Sequence, residues 1–231
     1  MWIKGLVRNS LIDYPGKLAA VLFSGGCNFR CPYCQNSQLV LCPQELPDTP
    51  PEEVLSFLAE RRGFLDGLVL SGGEPTLQPD LGDFAWQVKR LGLAVKLDTN
   101  GYRPDVLRDL LSRGCLDMIA MDVKATIKSY SLAAGIPVDL SLIEESLALL
   151  LSSGIAYELR TTVVPGIIGP QDVDDLSAWL RRAKRYVLQQ FRPQEALHPA
   201  WRQVVPYTTQ ALLTMAERLC AAGIPTEVRG I

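Results

Sequence analysis

The sequence has few of the features that mark secreted, membrane-bound or nucleic-acid-binding proteins. It contains one histidine among 231 residues, and its 23 Lys+Arg and 25 Asp+Glu leave a formal net charge of −2. The longest stretch without Asp, Glu, Lys or Arg has 14 residues, and a membrane-spanning helix needs about 18 or more apolar residues. The first residues do not resemble a secretory signal, and no basic excess indicates a nucleic-acid surface. We therefore expect a cytoplasmic protein with no membrane or nucleic-acid partner.

The chain also lacks a disulfide framework. Of its six cysteines, Cys27, Cys31 and Cys34 lie close together, and the other three are scattered. A small secreted scaffold would be richer in cysteine, whereas clustered cysteines in an intracellular chain more often bind metal or take part in chemistry. We interpret the scattered cysteines as small packing or loop residues. They are Cys42, Cys115 and Cys220.

Short apolar runs alternate with amphipathic stretches along the whole chain, with Gly, Pro, Asp and Asn between them. The predicted strands are residues 18–23, 68–70, 94–98, 118–123, 155–164 and 186–191, with a last candidate at 226–229. The predicted helices are residues 50–63 behind a Thr49 N-cap, 80–91, 104–113, 141–151, 171–183 and 208–222. Residues 42–51 are predicted to form a surface loop.

This alternation predicts an α/β fold with a parallel sheet, because parallel strands need helical crossovers. About six β/α units are too few for an eight-fold barrel, so we predict a partial (β/α)6 barrel. We expect one domain over residues 1–231, with residues 1–17 as an extension or hairpin leg of that domain. Ligands of such sheets bind at the carboxyl ends of the strands.

The clustered cysteines have the spacing C-x3-C-x2-C and follow a predicted strand directly after Gly25 and Gly26. Thiolates at this spacing can surround one soft-metal centre from a single loop. A structural zinc site or an electron-transfer cluster requires four protein ligands, and no fourth cysteine or histidine lies at a matching distance. A four-iron cluster held by three thiolates would leave one iron open, which indicates catalysis rather than electron storage.

These residues resemble the radical S-adenosylmethionine (SAM) superfamily, in which the loop pattern is C-x3-C-x-aromatic-C and Tyr33 has the aromatic place. The segment Gly72-Gly73-Glu74 is similar to the family's Gly-Gly-Glu element. The resemblance implies one 4Fe–4S cluster on the three clustered cysteines, and SAM bound through its amino group by backbone near the glycines. It also implies reductive cleavage of SAM to methionine and a 5′-deoxyadenosyl radical.

Four further segments resemble the activating enzymes of glycyl radical proteins, in particular the activating proteins of anaerobic ribonucleotide reductase. They are Asp13-Tyr14-Pro15-Gly16 (D-x-P-G), Tyr33-Cys34-Gln35-Asn36 (Y-C-x-N), Asp98-Thr99-Asn100-Gly101 (D-T-N-G) and Asp122-Val123-Lys124 (D-x-K). The resemblance implies that Asp13 is a catalytic residue near the target glycine. It implies a glycyl radical enzyme as partner, and a one-electron donor such as flavodoxin or ferredoxin.

Several of these polar residues are expected to contact SAM. Lys124 and Arg160 offer fixed positive charge to a carboxylate, and Asp98 offers acceptors to the ribose or the amino group. Asn100 completes the predicted SAM contacts, together with Tyr33 and the Gly-Gly-Glu segment. The activases also suggest a monovalent cation beside SAM, framed by Asp98, Thr99 and Asp122.

Two departures from the activases leave the substrate open. Gln35 and the pair Phe191-Arg192 stand where the activases commonly have histidines, and we interpret His198 as an ordinary surface residue. One alternative is a radical SAM enzyme that acts on a small molecule, as a 7-carboxy-7-deazaguanine synthase does. A second is a non-catalytic zinc protein, which would leave the Gly-Gly-Glu and D-x-K segments unexplained.

Overall fold

The computed structural model describes residues 1–231 and contains eight strands that are hydrogen-bonded in chain order. The strands are β1 (Ile3–Ser10), β2 (Ala19–Ser24), β3 (Gly67–Gly72), β4 (Ala94–Thr99), β5 (Met118–Asp122), β6 (Ala156–Val163), β7 (Tyr186–Gln190) and β8 (Thr226–Arg229). The first strand is antiparallel to β2, whereas the pairs β2–β3, β3–β4, β6–β7 and β7–β8 are parallel.

Eight α-helices and six short 3-10 turns connect the strands. The helices are α1 (Ser37–Leu41), α2 (Pro51–Glu60), α3 (Leu81–Arg90), α4 (Pro104–Arg113), α5 (Tyr130–Ala134), α6 (Leu140–Ser153), α7 (Val173–Trp179) and α8 (Thr209–Ala221). The 3-10 turns are Pro43–Glu45, Pro75–Leu77, Ile127–Ser129, Pro170–Asp172, Pro193–Glu195 and Pro199–Gln203. None of the helices combines the length and the apolar composition needed to cross a bilayer.

The residue contacts divide the chain into two compact units, which are described separately. The first consists of Met1–Asn28, Gln38–Ala120 and Leu142–Ala156, and the second of Phe29–Ser37, Met121–Ser141 and Tyr157–Ile231. The single domain expected from the sequence stays a prediction.

In the first unit, the strand register defines two edges of the sheet. Ala19 of β2 lies opposite Gly67 of β3, and Ser24 lies opposite Gly72, so Ser24 and Gly72 mark the carboxyl edge of these parallel strands. Because β1 is antiparallel, its last residue, Ser10, pairs with Ala19 at the amino edge. The turn that follows Ser10 therefore leaves the sheet at the edge opposite the cysteine loop.

A small apolar cluster lies at this amino edge. Tyr14, which is 3% exposed, packs with the buried residues Ala19, Val21, Val69 and Met118. Burial raises the pKa of the Tyr14 phenol to about 12, and the charge of Asp117 acts in the same direction. The first four residues of β3 are fully buried, as expected for a parallel strand covered on both faces.

In the second unit, β6, β7 and β8 form a parallel group. The Tyr186 hydroxyl on β7 donates to Thr161 Oγ1 on β6 at 2.5 Å. Glu158 is fully buried and accepts two hydrogen bonds from the Arg229 guanidinium, at 2.9 and 2.7 Å. This buried ion pair connects β8 to β6. Helix α8, which directly precedes β8 in the chain, packs against β8.

The α/β class with a largely parallel sheet is confirmed, and every predicted strand forms with its ends within two residues of the prediction. The predicted N-terminal hairpin leg is β1, and the last candidate strand is β8. The short helices α1 and α5 were not predicted, because five residues are too few to show a helical period. The loop predicted at residues 42–51 contains a 3-10 turn.

Two helix predictions were wrong at their ends. Pro50, not Thr49, is the N-cap of α2, and the Thr49 N–H instead donates to the Ile3 carbonyl oxygen of β1 at 2.9 Å. The helix predicted to reach residue 183 ends at Trp179. A turn in which the Ala183 N–H donates to the Leu180 carbonyl oxygen, at 2.7 Å, buries both residues and leads the chain into β7.

Candidate active site

The Gly-Gly-Glu segment lies at the carboxyl edge, in direct backbone contact with the start of the cysteine loop. The Gly73 N–H donates to the Ser24 carbonyl oxygen at 2.9 Å, and the Glu74 N–H donates to the Gly26 carbonyl oxygen at 2.8 Å. A Cβ added at Gly73 would overlap the Gly26 carbonyl group. Gly72 has φ +126°, a conformation that L side chains rarely adopt. Only glycines therefore allow these two loops to meet.

The Glu74 side chain ties the end of β3 to the end of β4. It is 1% exposed and accepts hydrogen bonds from Thr76 N and Oγ1, from Thr99 Oγ1 and from Asn100 N, at 2.5 to 3.1 Å. Burial raises the pKa of the Glu74 carboxyl, and these donors act in the opposite direction without cancelling the shift. The carboxylate is thus engaged within the protein and fixes the backbone on either side of it.

Asn100 links the same region to the cysteine loop. Its Nδ2 donates to Asn28 Oδ1 at 2.7 Å, and its Oδ1 accepts from the Tyr102 N–H at 3.0 Å. Asn28 follows Cys27 directly, and the Cys27 thiol lies 3.9 Å from the same Asn28 oxygen. The Asn100 amide therefore positions the backbone beside Cys27, a role that is different from the SAM contact expected from the sequence.

Asp98 lies in β4, two residues before Asn100. Its carboxylate is paired with Lys96, a residue that was not predicted to belong to the site. Lys96 Nζ is 2.5 Å from Asp98 Oδ1, and Ser71 Oγ donates to Asp98 Oδ2 at 3.4 Å. Lys96 is 1% exposed. The available signal was a lone lysine in an apolar strand, two residues before Asp98 and hence on the same face.

In the second unit, Asp122 lies between two cations at the ends of β5 and β6. Lys124 Nζ is 2.8 Å from Asp122 Oδ2, and Arg160 Nε is 2.9 Å from Asp122 Oδ1. Burial alone would raise the pKa of Asp122, but the charges of Arg160 and Lys124 outweigh burial and hold this pKa well below its usual range. Burial alone would lower the pKa of Lys124, but the charge of Asp122 keeps this pKa well above its ordinary value.

These three side chains form a compact charged group. The Lys124 and Arg160 side chains are 17% and 12% exposed. At a place so largely removed from water, charge-assisted hydrogen bonds to a carboxylate are strong.

Cys31, Tyr33 and Cys34 are electrostatic neighbours of this group. Burial raises the pKa of the Cys31 thiol to about 11, although the charge of Lys124 acts in the opposite direction. Burial also raises the pKa of Cys34, and all six cysteines are free thiols. The Tyr33 hydroxyl is buried and has no hydrogen-bond partner within the protein.

The donor set fits a cluster that receives three thiolates from one loop. No three His, Cys, Asp or Glu side chains converge so as to hold a single metal ion. In the second unit, the loop instead offers the Cys31 and Cys34 thiols and the orphaned Tyr33 hydroxyl near the charge of Lys124. These are the groups that an iron–sulfur cluster and an anionic ligand would satisfy.

Asp13 is not brought to this edge. Its Oδ2 accepts from Ser10 Oγ at 2.5 Å in the turn at the amino edge. The six residues of β2 separate the two edges by roughly 17 to 20 Å, at about 3.3 Å per residue. The catalytic role expected for Asp13 stays a prediction.

The residues that differ from the activase pattern lie in the second unit. Gln35 Nε2 donates to the Arg192 carbonyl oxygen at 3.2 Å. The side chain of the first departure therefore contacts the backbone of the second. His198 is exposed and its Nδ1 accepts from the Ala200 N–H, which agrees with the surface position expected from the sequence.

Comparison with known proteins decides the family. Residues 21–181 match the family described as the Radical SAM superfamily, which is more than half of the chain. The chain belongs to the radical SAM superfamily. Membership implies a 4Fe–4S cluster and SAM.

Named relatives within the superfamily differ in what they act on. A protein of Methanocaldococcus jannaschii, provisionally named a glycyl-radical enzyme activating enzyme, is 35% identical over 202 residues, which are 84% of this chain and 81% of that protein. A 7-carboxy-7-deazaguanine synthase of Hyperthermus butylicus is 33% identical over 97 residues, 42% of this chain and 40% of that protein. The crystal structure of Streptococcus suis SuiB bound to S-adenosylmethionine has a TM-score of 0.68 at 13% identity, over 89% of this chain and 48% of SuiB. The likeness to SuiB shows a shared fold.

The backbone contact at Gly73 can be tested by adding one methyl group. We expect Gly73→Ala to lower the free energy of unfolding by about 2 kcal/mol, because the Cβ forces the two loops apart. Gly5→Ala is the matched control, since its Cβ would meet Phe23 at an ordinary 3.7 Å. Urea unfolding of both variants measures the difference, and equal effects would contradict the close approach.

The orphaned hydroxyl gives a second test. We expect Tyr33→Phe to stabilise the ligand-free protein by about 1 kcal/mol, because an unpaired buried hydroxyl destabilises the folded state. Tyr186→Phe is the control and should destabilise by a similar amount, since its hydroxyl is hydrogen-bonded to Thr161. A loss of stability in Tyr33→Phe, measured by thermal unfolding, would show that the hydroxyl has a partner in the free protein.

Proposed function

We propose that this radical SAM enzyme is a glycyl radical enzyme activase, with anaerobic ribonucleotide reductase as the first candidate partner. The SAM chemistry is supported by one observation: Lys124 and Arg160 both pair with Asp122, in a partly buried group near Cys31. A glycyl radical enzyme as partner is supported by the name of the M. jannaschii relative, which aligns with most of both chains. Anaerobic ribonucleotide reductase is the candidate that the sequence resemblance suggests.

In this proposal Cys27, Cys31 and Cys34 hold the cluster, which leaves one iron without a protein ligand. A cluster held by these cysteines would supply one electron, received from a donor such as flavodoxin or ferredoxin, for the reductive cleavage of SAM. The buried side chains of Phe29, Cys31 and Tyr33 in this loop help to exclude water from the place where a reactive carbon radical would form.

The protein's own residues then have separate tasks toward SAM. Lys124 and Arg160 bind the SAM carboxylate as fixed cations, and Asp122 holds both of them in place. The backbone at Gly72 and Gly73 approaches the SAM amino group, while Glu74 fixes the turn rather than touching the ligand.

A monovalent cation is not part of this proposal. Both oxygens of Asp122 and one oxygen of Asp98 already face lysine or arginine, and Thr99 donates to Glu74. A further cation at Asp122 would be repelled by Lys124 and Arg160, and one at Asp98 would be repelled by Lys96.

The proposed reaction balances as a hydrogen-atom transfer. Reductive cleavage of the sulfonium C–S bond gives methionine and a 5′-deoxyadenosyl radical. That radical takes one hydrogen atom from a glycine Cα of the partner, which forms the C–H bond of 5′-deoxyadenosine and leaves the unpaired electron on the glycine. No water or further oxidant is needed.

A second candidate is a small-molecule reaction, which the partial match to the H. butylicus synthase favours. The two candidates differ in where the unpaired electron ends. Anaerobic incubation of the reconstituted enzyme with SAM, a reductant and the candidate reductase should produce a glycine-centred doublet in electron paramagnetic resonance. Formation of 5′-deoxyadenosine without that doublet on any glycyl radical protein encoded beside this chain would reject the activase assignment.

Removal of one cation tests the SAM site. We expect Lys124→Met to weaken SAM binding by about tenfold or more, because a charge-assisted hydrogen bond is lost, while the cluster absorbance is retained. Lys128→Met is the matched control, since this lysine pairs with Asp175 on the surface and its side chain is 81% exposed. Wild-type SAM affinity in Lys124→Met would contradict the proposed carboxylate contact.

A further inference from the structure

The second unit contains a basic surface segment for which the proposed chemistry gives no task. Residues 192–203 follow β7 at its carboxyl end and contain two 3-10 turns, Pro193–Glu195 and Pro199–Gln203. The buried side chains of Phe191 and Ala196, 1% and 0% exposed, hold this segment against the protein. Most of its other side chains are exposed. Segment 192–203 therefore presents a surface to solvent at the carboxyl end of the strand.

Segment 192–203 is hydrogen-bonded to the cysteine loop at two points. The His198 N–H donates to the Pro32 carbonyl oxygen at 2.9 Å, and Gln35 Nε2 donates to the Arg192 carbonyl oxygen at 3.2 Å. Pro32 and Gln35 are the residues directly after the second and the third clustered cysteine. A protein bound to segment 192–203 would therefore lie close to two of the three thiols.

The segment carries an excess of positive charge. Its cations are Arg192 and Arg202, and its one acidic residue is Glu195. Both arginines are exposed, and neither forms an ion pair. Arg202 Nε donates to the Ala196 carbonyl oxygen at 2.9 Å, which holds this guanidinium in place. Fixed, exposed cations attract an anionic partner and speed its association.

Position and charge together define the kind of partner. The reductive chemistry needs one electron from outside the chain, so a donor has to dock beside the thiols. Complexes between redox proteins bury little area, and complementary charge steers their association. An acidic donor protein fits an exposed basic segment, whereas a small ligand would need an enclosed pocket.

We propose that segment 192–203 is the docking surface for an acidic one-electron donor protein, with Arg192 and Arg202 as its charged contacts. This inference rests on the cluster ligation of the proposed function, and it is independent of the molecule on which the radical acts. In the step concerned, the donor loses one electron and the cluster gains it. No bond forms or breaks.

Stopped-flow reduction of the reconstituted enzyme separates docking from the redox chemistry itself. The probes are the hydroquinone of a flavodoxin with an acidic surface, and dithionite, which needs no docking surface. We expect flavodoxin to reduce the double variant Arg192→Glu/Arg202→Glu at least about tenfold more slowly than the wild type at low salt, because repulsion replaces attraction. The difference should largely vanish at about 1 M salt, where the Debye length is about 3 Å. Reduction by dithionite should keep the wild-type rate.

Single variants serve as controls for charge. Arg62→Glu is matched to Arg192→Glu, since Arg62 is an exposed arginine of the first unit that forms no ion pair, and it should keep the wild-type rate with flavodoxin. Glu195→Gln removes the one acidic residue of the segment and should accelerate reduction by flavodoxin. Fluorescence anisotropy of labelled flavodoxin with the cluster-free protein gives a second readout, and the affinities should follow the order of the rates.

Contrary results are separable. Equal flavodoxin rates in Arg192→Glu and Arg62→Glu would reject the docking surface, and so would equal slowing with dithionite, which would show a disturbed cysteine loop. Weaker binding of the candidate reductase, with unchanged binding of flavodoxin, would assign the segment to the other partner and also reject the inference. Rapid reduction by flavodoxin without a radical on any glycine would instead reject the activase function and leave this inference standing.

Discussion

The close backbone approach between Gly73 and Gly26 is the constraint on which the rest of the site depends. It holds the end of β3 against the first residues of the cysteine loop, and the Glu74 N–H to Gly26 hydrogen bond sets the register of the two segments. Glu74 extends this contact to β4 through Thr99 and Asn100, and Asn100 returns to Asn28 beside Cys27. A closed chain of hydrogen bonds thus connects the residues of the first unit that lie around the proposed cofactors.

Each unit contains an ion-paired carboxylate near the end of a strand. In the first unit Asp98 pairs with Lys96, and in the second Asp122 lies between Lys124 and Arg160.

Much of this could be predicted from the sequence, because the informative patterns are local. The cysteine spacing, the glycine pair and the strand alternation are all read over fewer than ten residues, and the fold class and the family are confirmed. The helix α7 and the cap of α2 were mispredicted where tertiary burial and a contact with β1 overrode local propensity. Helices α1 and α5 were not predicted, because five residues are too few to show a helical period.

The contacts of the site residues have a non-local origin. The D-x-P-G element was expected near the chemistry because it precedes the cysteine loop in sequence, but the antiparallel register of β1 places Asp13 at the opposite edge. The Glu74 and Asn100 side chains were expected to bind SAM, and pairing across strands engages both within the protein. Lys96 was missed because its significance lies in a contact with Asp98 and in complete burial, and neither is visible without the packed strands.

The central claim is that three thiolates hold a cluster with one iron left for SAM. The most direct measurement is electron–nuclear double resonance on the reduced, reconstituted enzyme with SAM labelled with 15N at its amino group. The account predicts a 15N hyperfine coupling to the cluster spin, and the coupling should disappear when unlabelled SAM replaces the labelled ligand. A fully assembled four-iron cluster whose spectrum is unchanged by saturating SAM would mean that the fourth iron already has a protein ligand, and that result would contradict the account.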